Sequence, residues 1–430
     1  MKKVSFLTLG CKVNQYETEA MMELFEEKGY KVTNTEENAD IFIINTCTVT
    51  NLSARKSRQY ISRARHINPQ AIIAVVGCYS QTSPEEVENL DGVDIVIGTD
   101  NKKDIVKLCE EVYSSNKKIN TVKDDVSKDF EELSINNQEG MTRAYIKIQD
   151  GCNQFCSYCI IPFARGRIRS RSLDSIYREA NRLGDAGYKE IVLTGIHVAS
   201  YGLDMDENIG LIDAIRTVAK IDSIERIRLS SIEPRIITRE FLEEIKSIGK
   251  VCDHFHMSLQ SGADKILKLM NRKYNTEEYY EKVKLLREYL PKVGLTTDVI
   301  VGFPEETDED FLDTCKFVEK VGFSKIHVFK YSPRKGTKAA KMKQIDGNIK
   351  KDRSNKLIKI SDKLTKEFIE NQFNNNLEVL FEEQTEEDIM HGYSSNYIRV
   401  ESKLNKECLN NIVKVKPRKI KNEILIADIL

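Results

Sequence analysis

The alternation of β-type with helical runs constrains this chain more than any other feature. Four apolar, β-branched runs (Lys3 to Leu9, Ala39 to Asn45, Ala71 to Gly77, Val93 to Gly98) are separated by helical patterns such as Glu17 to Tyr30. In that helix Met21, Leu24 and Phe25 share a face and Gly29 suits the C-terminal cap. Six further runs repeat the rhythm: Ala144 to Gln149, Lys189 to Thr194, Arg226 to Ser230, His254 to Leu259, Leu295 to Val301 and Lys325 to Lys330. Between them lie the helical patterns Ser172 to Ala186, Leu211 to Lys220, Thr238 to Ile248, Thr276 to Tyr289 and Thr307 to Val321. Strands that alternate with helices run parallel, because a parallel return needs a crossover long enough to hold a helix. The first set predicts an α/β doubly wound parallel sheet. The second predicts a partial (β/α)6 barrel, two units short of the closed form.

Residues 114–140, rich in Ser, Asn, Lys and clustered acids, read as a polar linker with few apolar anchors. The chain then divides into 1–113, the linker, 141–369 and 370–430. In the last segment the pattern changes to short strands (Leu377 to Phe381, His391 to Val400, Ile412 to Val415, Glu423 to Ile429), which fits a small all-β, five-stranded barrel.

Cysteines occupy the functional edges of both parallel sheets. Cys11, Cys47 and Cys78 each lie one or two residues past the end of a different predicted strand, and in an open parallel sheet those ends share the edge where ligands bind. Cys152, Cys156 and Cys159 follow the first barrel strand at C-x3-C-x2-C spacing. Thiolates select soft metals and iron–sulfur clusters, and four cysteines normally complete a cluster, so three leave one position for another ligand. A lone cysteine is more often a small buried hydrophobe, the reading kept for Cys109, Cys252, Cys315 and Cys408. Ten cysteines without a recognisable secretion signal point to metal or catalysis in a cytoplasmic protein, and no apolar run approaches a membrane span.

The formal net charge is -1, so any nucleic-acid contact must be local. Ile41 to Pro84 contains no acidic residue, and Arg55, Arg58 and Arg65 recur there at helical spacing. Arg165, Arg167, Arg169 and Arg171 alternate beyond the cysteine loop, so an extended segment would put them on one side, facing RNA or anchoring the loop to carboxylates. Residues 330–366 hold 13 Lys or Arg against three Asp, a composition suited to phosphate contacts. Lys414, Lys416, Arg418, Lys419 and Lys421 surround Pro417 in a strand-and-turn region that could face phosphate as well.

The cysteine loop, with Tyr158 before its last cysteine, resembles the radical S-adenosylmethionine enzymes. The wider set of motifs resembles the methylthiotransferase family: Gly10-Cys11-Lys12-Val13-Asn14-Gln15-Tyr16-Glu17, Asn45-Thr46-Cys47-Thr48-Val49-Thr50, Gly77-Cys78, His256-Met257-Ser258-Leu259-Gln260-Ser261-Gly262 and Asp298-Val299-Ile300-Val301-Gly302-Phe303-Pro304. The first two motifs are similar to the branch that acts on threonylcarbamoyladenosine beside the tRNA anticodon, the MtaB type. Branches acting on isopentenyladenosine or on a ribosomal protein are the alternatives. A noncatalytic iron–sulfur RNA-binding redox sensor is a further one.

The resemblance implies a methylthio group inserted at C2 of the modified adenine by two [4Fe-4S] clusters. Cys152, Cys156 and Cys159 would hold the radical-generating one and Cys11, Cys47 and Cys78 an auxiliary one. S-adenosylmethionine would serve as both radical source and methyl donor. Strand-end residues Thr194, Gly195, Ser230, Gln260, Ser261, Asp298, Gly302 and Pro304, with Tyr158, are its expected cofactor contacts. The last segment resembles a TRAM RNA-binding domain. The expected partners are tRNA, an electron donor and a sulfur source, with no obligate protein partner. One departure stands out: Glu305 occupies the position after Gly302-Phe303-Pro304 where a glycine is expected.

Overall fold

The apolar runs assemble into three sheet systems in the computed structural model, which describes residues 1–33, 39–48, 51–136, 142–205, 208–386 and 388–430. Val49 and Thr50 of the second cysteine motif and the last four linker residues lie outside the described residues.

The first system comprises β1 (Lys3–Thr8), α1 (Lys12–Glu27), β2 (Lys31–Thr33), β3 (Ile41–Thr46), α2 (Asn51–Ile67), β4 (Ile72–Gly77), α3 (Cys78–Thr82), α4 (Pro84–Glu88), β5 (Ile95–Ile97), α5 (Ile105–Ser115) and β6 (Ile119–Asn120). Its strands run in the order β2-β1-β3-β4-β5-β6, all parallel, with Val4 opposite Ile41 and Ile41 opposite Ile72. Apolar clusters cover both faces, Met21 and Phe25 with Ile105 on one side and Ile61 with Val87 on the other. The order reverses between β1 and β3, which places the ligand-binding crevice of such a sheet between the loops carrying Cys11 and Cys47. Helix α1 begins five residues earlier than the sequence pattern suggests, because Cys11 adopts the extended backbone of an N-cap. Asn14 and Glu17 therefore sit in its first turns, close to the cysteine.

The second system comprises β7 (Arg143–Asp150), α6 (Ile161–Arg165), β8 (Arg169–Ser170), α7 (Leu173–Asp185), β9 (Glu190–Gly195), α8 (Leu211–Ala219), β10 (Arg226–Leu229), α9 (Arg239–Ile248), β11 (His254–His256), α10 (Asp264–Leu269), α11 (Thr276–Tyr289), β12 (Gly294–Val301), α12 (Asp308–Val321), β13 (Lys325–Lys330) and α13 (Gly347–Glu370). Parallel pairing of β9 with β7 and β10, and of β12 with β11 and β13, is joined by bridges at Ile227 with Val251 and Ile232 with Met257, giving an open six-stranded barrel. Helix starts are chemically marked: Asn275 with Glu278 and Thr307 with Asp310 form reciprocal capping boxes for α11 and α12. Ala144, Ile146, Ile191, Leu193, Ile227, Phe255 and Val299 pack under the outer helices. The alternate residues therefore face the concave side.

Glu305 has φ +67, the left-handed conformation that glycine adopts without a Cβ penalty. That is the physical reason a glycine is expected there. Glu305→Gly should raise stability by about 1 kcal/mol in urea unfolding, the cost of a side chain in that region.

The third system is a closed barrel in the order β14-β15-β16-β18-β17, from β14 (Leu377–Glu386), β15 (Ile389–Ser394), β16 (Arg399–Lys403), β17 (Ile412–Lys421) and β18 (Ile424–Ile429). The single run expected from His391 to Val400 is two strands, broken by a turn in which Tyr397 has φ +70. That turn docks at the start of the parallel barrel, where Tyr397 stacks on His254 at 4.5 Å and Arg228 donates to the carbonyls of Ser394 and Ser395.

The linker is more than a polar tether. Leu133 and Ile135 are buried with Tyr16 and Ala20 of α1 and with Tyr145 and Val192 of the barrel, strapping the first sheet system onto the concave side of the second. Two apolar residues among acids carry no periodic signal, so only the fold reveals them.

Candidate functional site

Each of the ten cysteines is a free thiol. Cys11 caps α1 after β1, Cys47 follows β3 and Cys78 opens α3 after β4, so three strand ends deliver them to one edge. Gly10, at φ +114, lets the first loop approach the second: a Cβ there would lie 2.8 Å from the Cβ of Cys47. Burial raises the Cys78 thiol to about 12, against a pull from Arg165, while Cys47 and Cys11 push in the same direction as burial. The three thiols thus lie within one another's electrostatic field.

The second triad is held in shape by its surroundings. Ser157 N–H donates to the carbonyl of Met270 and its hydroxyl to that of Leu269, Asn271 donates to the carbonyl of Phe155, and Ala339 N–H to that of Ser157. Gly151 permits the loop to close, since a Cβ there would meet the Arg167 carbonyl at 1.8 Å. Burial lifts Cys152 to about 11 and Cys159 to about 12, so binding a metal here must release protons. Hydrogen-bond donors already point at the sulfurs: Gln154 N–H lies 3.4 Å from Cys152 Sγ and Arg272 Nη1 lies 3.3 Å from Cys156 Sγ.

The donor set fits a cluster. Among the described residues no three His, Cys, Asp or Glu side chains converge tightly enough for a single ion. Three cysteines of a four-iron cluster each bind a different iron, so they need not converge on one point.

Arg165 joins the two triads. It is fully buried, with Nη1 2.9 Å from Glu17 Oε1 and 3.0 Å from Asp150 Oδ2 and Nη2 donating to Asn14 at 2.8 Å, the amide that also faces Cys11 Sγ, and its charge acts on the Cys78 thiol. Lys147, also buried, pairs with the same two carboxylates. Although burial raises the pKa of Glu17, the adjoining Arg165, Lys102 and Lys147 charges hold it far below the usual carboxylate range.

The expected arginine row is accordingly corrected. Arg165 belongs to α6 and Arg169 and Arg171 are buried in ion pairs with Asp100 and Glu179, leaving Arg167 exposed above the Phe155 ring at 4.7 Å. The row is broken because helix α6 and the turn at Gly166 interrupt the extended backbone that a two-residue period assumes. Arg65 is also occupied, donating to the carbonyls of Pro69, Ala71 and Gly92 and to Asp94. Arg55 is exposed, and Arg58 is partly engaged by Tyr79 and Glu86. Lys414, Lys416, Arg418, Lys419 and Lys421 are exposed on strand β17 instead of a turn, and a bulge between Pro417 and Lys419 turns Arg418 and Lys419 outward together.

Most expected cofactor contacts gather at the barrel edge. Tyr158 meets Phe303 edge-on at 6.4 Å, which brings Gly302 and Pro304 beside the cysteine loop. Thr194 and Gly195 end β9 against Gln149, Asp298 Oδ2 lies 3.3 Å from His256 Nε2, and the Ser230 hydroxyl is buried without a hydrogen-bond partner. Gln260, at φ +71, bridges β12 through its backbone, donating to Asp298 and accepting from Ile300. Ser261 is the exception: its hydroxyl turns away to Thr314 of α12 at 3.3 Å and is buried.

The structure adds residues the sequence did not single out. Arg272, from the turn after α10, reaches Cys156, and Gln154, His197 and Arg235 converge on Glu233. Burial would raise Glu233, but hydrogen bonds from His197 and Arg235 hold it at about 2. No spacing marks Arg272, because it acts across 116 residues. Beside the loops that follow Cys47, Cys78 and Cys159 opens a cleft of about 860 Å³ lined by Thr48, Tyr79, Ile160, Arg58, Arg334 and Glu86 among others. No helix among the described residues is long and apolar enough to cross a membrane.

Comparison with known proteins places these features. Residues 146–318 match the Radical SAM superfamily and residues 3–98 match the Uncharacterized protein family UPF0004. Threonylcarbamoyladenosine tRNA methylthiotransferase MtaB of Bacillus subtilis is 45% identical over 97% of this chain and 94% of its own length. The enzyme of the same description from Aquifex aeolicus is 41% identical over 89% and 93%. A tRNA-2-methylthio-N(6)-dimethylallyladenosine synthase of Acetivibrio thermocellus is 39% identical over 87% and 79%. Among solved structures, the radical S-adenosylmethionine methyltransferase TsrM from Kitasatospora setae superposes with TM-score 0.58 at 15% identity, covering 77% of this chain and 76% of its own. That likeness shows a shared fold.

Proposed function

This chain belongs to the radical S-adenosylmethionine methylthiotransferase family, among its threonylcarbamoyladenosine-directed tRNA members, and on that premise we propose how its residues carry the reaction. It is a tRNA-modifying transferase that adds a methylthio group to C2 of N6-threonylcarbamoyladenosine beside the anticodon. The observation that carries the reading is the pairing of two cysteine triads on facing strand ends, joined through Arg165.

Cys152, Cys156 and Cys159 would hold a [4Fe-4S] cluster that binds S-adenosylmethionine, and Cys11, Cys47 and Cys78 a second one. When bound, these groups supply a hydrogen-abstracting carbon radical, the sulfur and the methyl group, chemistry beyond side-chain acids and bases. The chain's own part is to orient and enclose. Gln149 fixes the approach to the radical loop, donating to the carbonyls of Asp150 and Gly151 and accepting from His197 N–H. Tyr158, Phe303 and Tyr331 form an aromatic wall beside that loop. The cleft carries Arg58, Arg334 and Lys335 against Glu85 and Glu86, with Arg58 paired to Glu86, so an anionic strand whose target base is flipped inward would meet Arg334 and Lys335 on one wall. Segments 1–113, 141–369 and 370–430 then serve as auxiliary-cluster, radical and RNA-binding units in the cytoplasm, served by an external reductant and sulfur source.

Mass analysis of tRNA nucleosides from cells with and without the gene tests the reading. The 2-methylthio derivative of threonylcarbamoyladenosine should vanish with the gene. The 39% identity to a dimethylallyladenosine synthase supports a second reading, in which the dimethylallyl derivative vanishes instead. A redox sensor would change neither and would release no 5′-deoxyadenosine from S-adenosylmethionine.

Arg272 makes a separate prediction. Its positive N–H group at Cys156 Sγ favours the more negative, reduced cluster. Arg272→Met should lower the radical cluster's midpoint potential by about 60 mV at unchanged iron content, the equivalent of one charge-assisted hydrogen bond. A titration followed by electron paramagnetic resonance reads it directly.

A further inference from the structure

The concave side of the parallel barrel is flanked by α1 and closed at its starting end by the Ser394–Ile398 turn, and Lys12 reaches into the space between them. Its ammonium lies 5.6 Å from the Tyr145 ring centroid. The charged and phenolic groups around it are Tyr397, Arg143, Arg228 and Glu190, with the His254 and His327 imidazoles also in range. These come from β7, β9, β10, β11, β13 and the C-terminal barrel, and the lysine side chain among them is exposed to solvent.

The neighbouring arginines have carboxylate partners without it. Glu190 is held by Arg228 at 2.6 Å and faces Arg226 at 3.8 Å, and Arg143 is paired with Glu382. Among the described residues Lys12 has neither an ion pair nor a hydrogen bond from its ammonium. Its ammonium is exposed and hydrated, and it remains free to pair with an anion that enters. On the same face, His254 Nδ1 is buried without a hydrogen-bond partner, while His256 Nε2 lies 3.3 Å from Asp298 Oδ2. The space therefore offers a positive charge and one unused ring nitrogen.

Lys12 directly follows Cys11 at the start of α1, so the same loop carries a candidate cluster ligand and this cation. We propose that Lys12 is a specificity-determining residue that reads the carboxylate of the threonylcarbamoyl group on the target adenosine from inside the barrel. The inference rests on the functional reading above and deepens it. A dimethylallyl group carries no charge and no hydrogen-bonding atom, so it would leave the lysine without a counter-ion. Discrimination between the two modified bases follows from that difference.

The test measures binding of reconstituted, full-length protein to anticodon stem–loop RNAs that differ only in the target base. The wild type should bind the threonylcarbamoyladenosine RNA at least about tenfold tighter than the unmodified one, as expected for one charge-assisted contact. Lys12→Gln should reduce that preference to about twofold or less, Lys12→Arg should retain most of it, and iron per chain should be equal in all three. Methyl esterification of the threonyl carboxylate should weaken wild-type binding to the same degree, a measurement that needs no variant. Undiminished preference in Lys12→Gln, or no penalty for the ester, overturns the inference. If wild-type protein methylthiolates threonylcarbamoyladenosine RNA while either result is obtained, the lysine assignment alone falls. If it methylthiolates only dimethylallyladenosine RNA, the functional reading falls and takes this inference with it.

Discussion

Replacing Cys11, Cys47 and Cys78 together with alanine should remove about half of the protein's iron, as follows if each triad holds one four-iron cluster, and abolish methylthiolation. Release of 5′-deoxyadenosine from S-adenosylmethionine should persist, because Cys152, Cys156 and Cys159 are held by a different set of contacts, from Leu269, Met270, Asn271 and Ala339. Iron analysis and product quantification on the same anaerobic preparation separate the two outcomes. Cys109→Ala is the matched control: that thiol is buried in the apolar core below the sheet, and burial pushes its pKa far up, as for an inert structural cysteine. Unchanged iron in the triple variant would refute the auxiliary site, and loss of all iron would show that the two triads do not load independently.

Arg165→Met should destabilise the protein by about 3–5 kcal/mol, the range for removing one partner of a buried ion pair. Two carboxylates, Glu17 from the first sheet system and Asp150 from the second, would lose a guanidinium lying about equally close to both. Lys147 still touches each carboxylate, so the lower part of the range is expected. Urea unfolding measures the loss, and limited proteolysis near residues 114–136 should report loosening between the two systems. A surface arginine on an RNA-facing row would instead lose RNA affinity at constant stability. The two readings of Arg165 are therefore distinguished by which quantity moves.

Much of the fold is legible in the sequence because parallel α/β structure repeats a local signal. Each of the ten predicted parallel runs overlaps an observed strand, and the barrel helices are recovered to within one or two residues. The misses have local causes. The left-handed residue Tyr397 splits one apolar run into two strands, and Cys11 starts α1 early because its own extended backbone makes a cap that no side-chain hydrogen bond announces. Ser261 sits in a motif beside residues that face the barrel edge, but the turn after Gln260 aims its hydroxyl at α12.

For the site, the sequence by itself determined the two cysteine triads and the edges they occupy, since strand ends in a parallel sheet share a side whatever packs around them. It also marked Glu305 as anomalous, and its φ of +67 supplies the reason. Only the tertiary structure decided which cations serve the fold and which remain available. Arg165 is consumed by carboxylates at positions 17 and 150, Arg272 reaches a sulfur 116 residues away, and Lys12 stays without an ion pair because the nearby carboxylates are taken by Arg143, Arg226 and Arg228. Charge in a sequence is only a count, and its role depends on which opposite charges the long-range packing brings within a few ångströms of it.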